Sequence, residues 1–192
     1  MAPLRNSTER WGWLSITLHW VTVLLIVVLV IVGLNMDDLP NGPRKIQVYA
    51  LHKSTGLTVL LLTALRLGWR LYAGAPKLPP MAAWQRWAAH ASHVGLYALL
   101  FAMPLSGWLY NSASGFPLKW FGLVRVPALA AYDPWLKHLA EDLHEGLAKV
   151  LLAVVAVHVL AALQHHFFHR DATLSRMLPL LRPPSPKVPP SP

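Results

Sequence analysis

The stretch HEGLAKVLLAVVAVH, residues 144 to 158, begins and ends with histidine and is otherwise almost entirely aliphatic. In a helix that rises 1.5 Å per residue with 3.6 residues per turn, His144 and His158 share one face and lie about 21 Å apart along the axis. Ionisable side chains at membrane depth are costly and are usually functional. The stretch therefore predicts an apolar helix that carries two sites on one face, at two depths.

The composition of the whole chain is typical of a membrane protein. Of its 192 residues, 55% are hydrophobic and only 13% are charged, whereas about a quarter of the residues of a soluble domain are charged. A helix needs about 20 apolar residues to cross a bilayer core about 30 Å thick. Four segments meet this requirement, namely residues 14–34, 48–69, 90–110 and 144–168.

These segments predict an all-α fold, a transmembrane four-helix bundle with up-down-up-down topology. Backbone groups cannot stay unpaired in lipid, so the helices must pack around a shared interior. The bundle is predicted to form one domain over residues 1–180, and the Pro-rich residues 181–192 are predicted to be a disordered tail. The first apolar segment is too long for a secretory signal and lacks a cleavage site after it, so we expect it to stay in the mature protein.

The distribution of basic residues predicts the orientation in the membrane. The N-terminal segment, the loop between the second and third helices and the C-terminal tail hold ten Lys and Arg against two acidic residues, whereas the other loops and adjoining helix starts hold seven basic and six acidic residues. By the positive-inside rule, both termini face the cytoplasm. The net charge of +9 therefore reflects orientation in the lipid bilayer, and a nucleic-acid partner is not needed to explain it.

Four histidines at membrane depth form two pairs if consecutive helices alternate in direction. His19 lies near the start of the first helix and His158 in the inner half of the fourth, so these two can meet near the cytoplasmic side. His52 and His144, near the starts of the second and fourth helices, can meet near the outer side. The sequence thus predicts two bis-histidine sites stacked across the bilayer.

Facing imidazoles inside a helical bundle suit the axial positions of a haem iron. Gly56, one turn after His52, leaves space for a flat macrocycle, and the absence of cysteine means that the haem would be held non-covalently, as b type. A single membrane histidine is more often only an interhelical hydrogen bond, and a glycine often only permits close packing. A transporter of bare metal ions would be expected to add carboxylates deep in the spans, which this sequence lacks. Two pairs of histidines favour two haems over both alternatives.

Several motifs together resemble the bacterial cytochrome b561 family. They are ITLHW in the first helix, LHKSTG at the start of the second, HASHVGLYALLFAMPLSGWL in the third and LHEGLAKVLLAVVAVHVLAALQHHFFHRDATLSRMLP in the fourth. The resemblance covers most of residues 10–180 and is to the small stand-alone members, of the superoxide oxidase type. It implies two b haems, ligated by His19 with His158 and by His52 with His144, and electron transfer with ubiquinone in the bacterial inner (plasma) membrane.

Three further residues near the predicted haems have open roles. His93 could compete with His19 as a ligand, whereas the family pattern makes His93 a hydrogen-bonding or propionate-contacting residue. Arg66 could also pair with a haem propionate, although positive-inside anchoring already accounts for it. Lys53, beside His52, either attracts an anion to the outer haem or extends toward the membrane interface.

The segment QHHFFH, residues 164–169, is interpreted as a basic patch at the inner membrane surface. Within it, His165 or His166 could donate a proton near a quinone. With Lys53, these two histidines complete the set of candidate catalytic residues.

The function implied by the resemblance is electron transfer across the bilayer from a periplasmic one-electron donor, superoxide first among the candidates, to ubiquinone. The alternative is a non-catalytic cytochrome b anchor that relays electrons from a separate dehydrogenase or hydrogenase subunit, because the short outer loops hold no catalytic domain of their own. A third hypothesis, a cofactor-free transporter or scaffold, would be excluded by a b-type absorbance spectrum.

Overall fold

The computed structural model describes residues 4–181 and is mostly helical. Its helices are α1 (Trp13–Asn35), α2 (Pro43–Ala73), α3 (Ala83–Ala113) and α4 (Pro134–Gln164). All four are long and apolar enough to cross a membrane, which confirms the prediction of four helices of membrane-spanning length. The predicted disordered tail lies outside the described residues, apart from Leu181.

Local signals explain why α2 and α4 begin before the predicted apolar segments. Helix α4 starts ten residues before the predicted segment, where the Asp133 side chain accepts a hydrogen bond from the Leu136 N–H (3.1 Å) and Pro134 occupies the first turn. Helix α2 likewise begins at a proline, Pro43. Charged residues fill the first turns of α4, so hydropathy alone placed its start too late.

The end of α4 also differs from the prediction. The α-helix stops at Gln164, and His165–His169 form a single turn of π-helix. Arg170 then adopts a left-handed conformation, with φ of 54°, which ends the helix. Such π turns are rare and are often found at functional sites.

The core of the bundle is apolar and small. Val59, Leu100 and Leu151, from α2, α3 and α4, form its buried centre, and the most extensive helix packing is between α3 and α4. Many large apolar side chains are exposed on the outer faces of the helices, as expected where lipid replaces water. Thr22 and Thr63 are buried between helices, and each hydroxyl bonds a carbonyl oxygen of its own helix.

A β-hairpin in the α3–α4 connection was not predicted, so the fold is not purely helical. Strands β1 (Leu118–Trp120) and β2 (Val124–Val126) pair antiparallel. The turn between them uses left-handed backbone at Phe121 (φ 48°) and Gly122 (φ 74°), a conformation that glycine adopts without steric cost.

The hairpin is attached to α2 by side-chain hydrogen bonds. Ser54, only 1% exposed, accepts from the Phe121 N–H (2.9 Å) and donates to the Lys119 carbonyl (3.3 Å). Trp120 Nε1 donates to Thr58 Oγ1 (3.1 Å). We call this part of the bundle the hairpin end.

The segments before α1 and after α4 meet at the other end of α2, which we call the terminal end. Asn6 donates to the Gly74 carbonyl (2.7 Å) just after α2. Trp20 Nε1, on α1, donates to the Met177 carbonyl (2.7 Å), and Arg176 donates to the Lys77 carbonyl (2.7 Å). These bonds hold the segments before α1 and after α4 against the α2–α3 loop.

Candidate functional site

The histidines singled out in the sequence fall into two groups along the bundle. At the hairpin end, the rings of His52 and His144 lie with their centroids 6.4 Å apart, at an interplanar angle of 73°. In the second group, the rings of His93 and His158 lie 5.6 Å apart, at 69°. His19 lies within electrostatic range of both His93 and His158.

The hydrogen-bond partners of His144 determine which of its ring nitrogens carries the proton and which keeps its lone pair. Its Nδ1 lies 3.1 Å from the Met103 carbonyl oxygen and 3.0 Å from Ser106 Oγ. A carbonyl oxygen only accepts hydrogen bonds, so Nδ1 carries the proton and Nε2 keeps its lone pair. A backbone carbonyl that orients a histidine in this way is the usual outer partner of a metal ligand.

Two glycines make room for the histidine rings at the hairpin end. A Cβ atom at Gly107 of α3 would lie 2.9 Å from His144 Cε1, and one at Gly33 of α1 would lie 3.2 Å from His52 Cε1. Larger residues would displace the rings, so neighbouring helices place both imidazoles through close backbone contact.

A cavity of about 400 Å³ opens beside this pair. His52, His144, Lys53 and Gly56 are among its lining residues, and most of the remaining lining is apolar. A Cβ atom at Gly56 would meet no atom within 4 Å, so Gly56 borders open space, as expected for a macrocycle site.

The donor set fits a haem. A metal-bound imidazole nitrogen lies about 2 Å from its metal, so rings 6.4 Å apart have room for one metal atom between them. In residues 4–181 no three His, Asp or Glu side chains converge as a metal site, so a metal held by this pair would need further ligands from a group such as a porphyrin. The buried Nδ1 of His52 has no hydrogen-bond partner among residues 4–181.

Polar groups at the hairpin end were largely missed in the sequence. Lys53 Nζ donates to Asn111 Oδ1 (2.9 Å), and Asn111 Nδ2 donates to the Phe116 carbonyl (2.9 Å). Two tyrosines that line the cavity each hydrogen-bond a carboxylate, Tyr49 with Asp37 and Tyr110 with Glu141. These polar residues lie within one helical turn of residues that line the cavity. Their relation to the cavity can be recognised only when the packing of the helices is known.

The second histidine group is more crowded than the predicted pair. His158 packs edge-on against His93. His19 packs edge-on against Trp20, and its buried Nδ1 has no hydrogen-bond partner in the described residues. His93 thus lies beside His158, and His19 lies within electrostatic range of both. The structure leaves both of them available as the second ligand.

Arg66 also belongs to this second group. Its guanidinium lies 5.6 Å from the centre of the Tyr97 ring, a cation–π arrangement, and it lies within electrostatic range of His19 and His158. A guanidinium in this position suits a carboxylate, and its pairing with a haem propionate stays a prediction.

The two remaining catalytic candidates, His165 and His166, lie in the π turn after α4. His165 Nδ1 lies 2.6 Å from Asp171 Oδ2, and His166 Nδ1 is buried without a hydrogen-bond partner in residues 4–181. Neither lines the cavity at the hairpin end, so the structure separates them from Lys53.

Comparison with known proteins identifies the family of the chain. The sequence profile of the family described as prokaryotic cytochrome b561 matches residues 10–180. The chain belongs to the prokaryotic cytochrome b561 family. It is 35% identical over 181 residues to cytochrome b561 homolog 2 of Escherichia coli K12, a match that covers 90% of this chain and 93% of the relative.

Two other relatives of this b561 chain are similar along nearly their full length. Cytochrome b561 homolog 1 of Escherichia coli K12 is 30% identical over 173 residues, covering 89% of this chain and 98% of the relative. A protein of Yersinia pestis named probable superoxide oxidase CybB is 31% identical over 179 residues, covering 91% and 98%. The b561 chain is thus a multi-pass membrane electron-transfer protein, and its family implies haem b.

Proposed function

We propose that this b561 protein transfers electrons across the bacterial inner membrane from superoxide to ubiquinone. In this proposal two b haems are held non-covalently, one by His52 with His144 and one by His19 with His158. The helices run up-down-up-down with both termini in the cytoplasm, so the hairpin end faces the periplasm.

The observation that carries the proposal is the division of the histidines into two groups at different heights of the bundle. His144 and His158 lie on one helix, about 21 Å apart along its axis, and each has another histidine within 6.4 Å of its ring centre. Bound haem would supply one-electron redox chemistry at both heights. A path for electrons between the two membrane surfaces requires two such positions. A histidine that only formed an interhelical hydrogen bond would not require them.

The chain's own residues supply ligation, orientation and exclusion of water. The Met103 carbonyl keeps the proton on His144 Nδ1, so Nε2 is free for the iron. Hairpin residue Leu118, 5% exposed, closes one wall of the cavity. An apolar, partly closed surrounding favours the less charged state of a redox centre and thereby raises its potential.

Superoxide is proposed as the donor because a relative 31% identical carries the name probable superoxide oxidase and because Lys53 places a cation in the cavity. Each superoxide that loses one electron becomes dioxygen. Two electrons and two protons convert ubiquinone to ubiquinol, and His165 or His166, near the terminal end, would deliver the protons.

Rapid mixing of the purified full-length protein with superoxide tests this function. We expect haem absorbance to change to the reduced form within the mixing experiment, and added ubiquinone to reoxidise it. Reduction by a membrane dehydrogenase or hydrogenase but not by superoxide would overturn the superoxide proposal and favour the relay. The double variant H52A/H144A is the matched control, which should lose the response to superoxide.

The orientation has an independent test, because the chain contains no cysteine of its own. A single cysteine at Lys119, on the exposed side of the hairpin, should react with a membrane-impermeant maleimide in intact cells. A cysteine at Ser175, near the terminal end, should react only after the membrane is opened. The reverse pattern would contradict the proposed orientation.

A further inference from the structure

We propose that Asn111 is a positioning residue that fixes the Lys53 ammonium in the cavity at the hairpin end, where this cation binds an anionic oxygen group and raises the reduction potential of the adjacent haem. The inference rests on the proposed haem between His52 and His144. It adds a role for two residues that lie outside the ligand set.

The Lys53 side chain has an unusual environment for a lysine. It is half-buried, lines a cavity whose other lining is mostly apolar, and follows His52 directly in the chain. In residues 4–181 no carboxylate lies within ion-pair distance of its Nζ. An ammonium group in apolar surroundings without an anion is costly, so the arrangement favours a bound anion.

Asn111 determines where this ammonium lies. It is only 5% exposed, its Oδ1 accepts from Lys53 Nζ, and its Nδ2 donates to the Phe116 carbonyl. The bond to Phe116 orients the amide so that its oxygen faces Lys53. Lysine side chains are otherwise free to extend toward water, and this one is held in the cavity by a buried partner.

The single hydrogen bond to Asn111 leaves two of the three ammonium protons for another acceptor. The matching chemistry is a carboxylate or a small oxyanion. Two sources supply it, a propionate of the haem itself or an anion from solution. If the acceptor is a propionate, loss of the lysine charge leaves that carboxylate uncompensated near the redox centre and lowers its potential. If it is an anion from solution, the same loss also removes the bound anion, so the potential falls in a buffer whose anion the cavity does not hold.

Redox potentiometry of the purified protein, followed by haem absorbance, tests the inference without superoxide or ubiquinone. We expect K53M to lower the midpoint potential of one haem and to leave the other unchanged, and K53R to stay close to wild type. K119M is the charge-matched control, since Lys119 lies on the solvent side of the hairpin, and it should change neither potential.

The role of Asn111 is tested by a double-mutant cycle. N111L should lower the same midpoint potential by less than K53M does, and it should have no further effect in the K53M background. A merely structural role through Phe116 would shift the potential equally in both backgrounds and would overturn the inference. Unchanged potentials in K53M would overturn it as well. If K53M fails to retain haem, its potential cannot be measured. An unchanged potential in N111L would then overturn the inference.

Titration in chloride and in gluconate buffers of equal ionic strength separates the two anion sources. A wild-type potential that differs between the buffers, and a K53M potential that does not, assigns the anion to solution. A K53M shift that is equal in both buffers assigns it to the haem propionate. Failure of superoxide to reduce the protein would leave these measurements valid, so the two proposals can fail separately.

Discussion

The ring of His144 packs against the backbone of Gly107, so closely that a Cβ atom there would lie 2.9 Å from Cε1 and 3.2 Å from Nδ1 of the imidazole. We therefore expect G107A to displace the ring, at a cost of about 1–3 kcal/mol in stability. The variant should bind less haem at the hairpin end and unfold at a lower temperature. Haem absorbance per protein and thermal unfolding measure these effects.

Gly68→Ala is the matched control for this substitution. Gly68 is also helical, but a Cβ atom there meets nothing within 4 Å. Alanine has the higher helix propensity, by up to about 1 kcal/mol, so G68A should keep its haem and its stability. Equal behaviour of the two variants would show that the contact with His144 is unimportant.

Removal of either histidine at the hairpin end should remove one haem. We expect H52A and H144A each to lower haem content by about half, because each deletes one of two axial ligands. The pyridine haemochrome assay measures haem per polypeptide. H138A is the control, since the His138 side chain is 73% exposed at the start of the same helix. Full haem content in H52A and H144A would refute this pairing.

The second histidine group allows a direct comparison of His19 with His93. If His19 and His158 are the ligands, H19A should lose one haem, whereas H93A should keep both and show a shifted potential. H90A is the control, one turn before His93 on an exposed position. Loss of a haem in H93A, with none in H19A, would assign His93 as the ligand, which its ring, 5.6 Å from His158, also permits.

The contact between His165 and Asp171 predicts a pH dependence of stability. Burial raises the pKa of Asp171, but hydrogen bonds from Thr173 and His165 outweigh this and hold it below its ordinary value. A carboxyl group with a lowered pKa stabilises the fold above its unfolded pKa, about 3.9, and this contribution is lost as the pH falls through the folded value.

Wild type should therefore melt at a higher temperature than D171N above about pH 4, and this difference should vanish at lower pH. Thermal unfolding at a series of pH values measures it. Asp38 is exposed, so D38N should match wild type throughout. A difference between wild type and D171N that does not depend on pH would exclude the carboxylate as its cause.

The sequence was sufficient to predict the helices and the main histidines because both signals are local. Apolar length determines which segments span a membrane, and 3.6-residue periodicity places His144 and His158 on one face. The His52–His144 proximity also followed from counting depth along alternating helices. These inferences need no knowledge of how side chains pack.

Features that depend on packing could not be predicted in this way. The hairpin arises from two three-residue strands that hydropathy does not separate from the rest of a loop. The bond between Lys53 and Asn111 joins residues 58 positions apart, and Gly107 matters only because His144 lies against it. The position of His93 beside His158 depends on the rotation of α3, which periodicity alone does not determine.

The hydrogen bonds of Ser54 have a consequence for biogenesis. Its hydroxyl group contacts backbone atoms 65 and 67 residues later in the chain, so one wall of the cavity does not exist until α3 and the hairpin have left the ribosome. His144 is synthesised later still. A nascent chain with two inserted helices thus presents His52 in an open, half-built pocket, and cofactor loading there must wait until nearly the whole polypeptide has been translated.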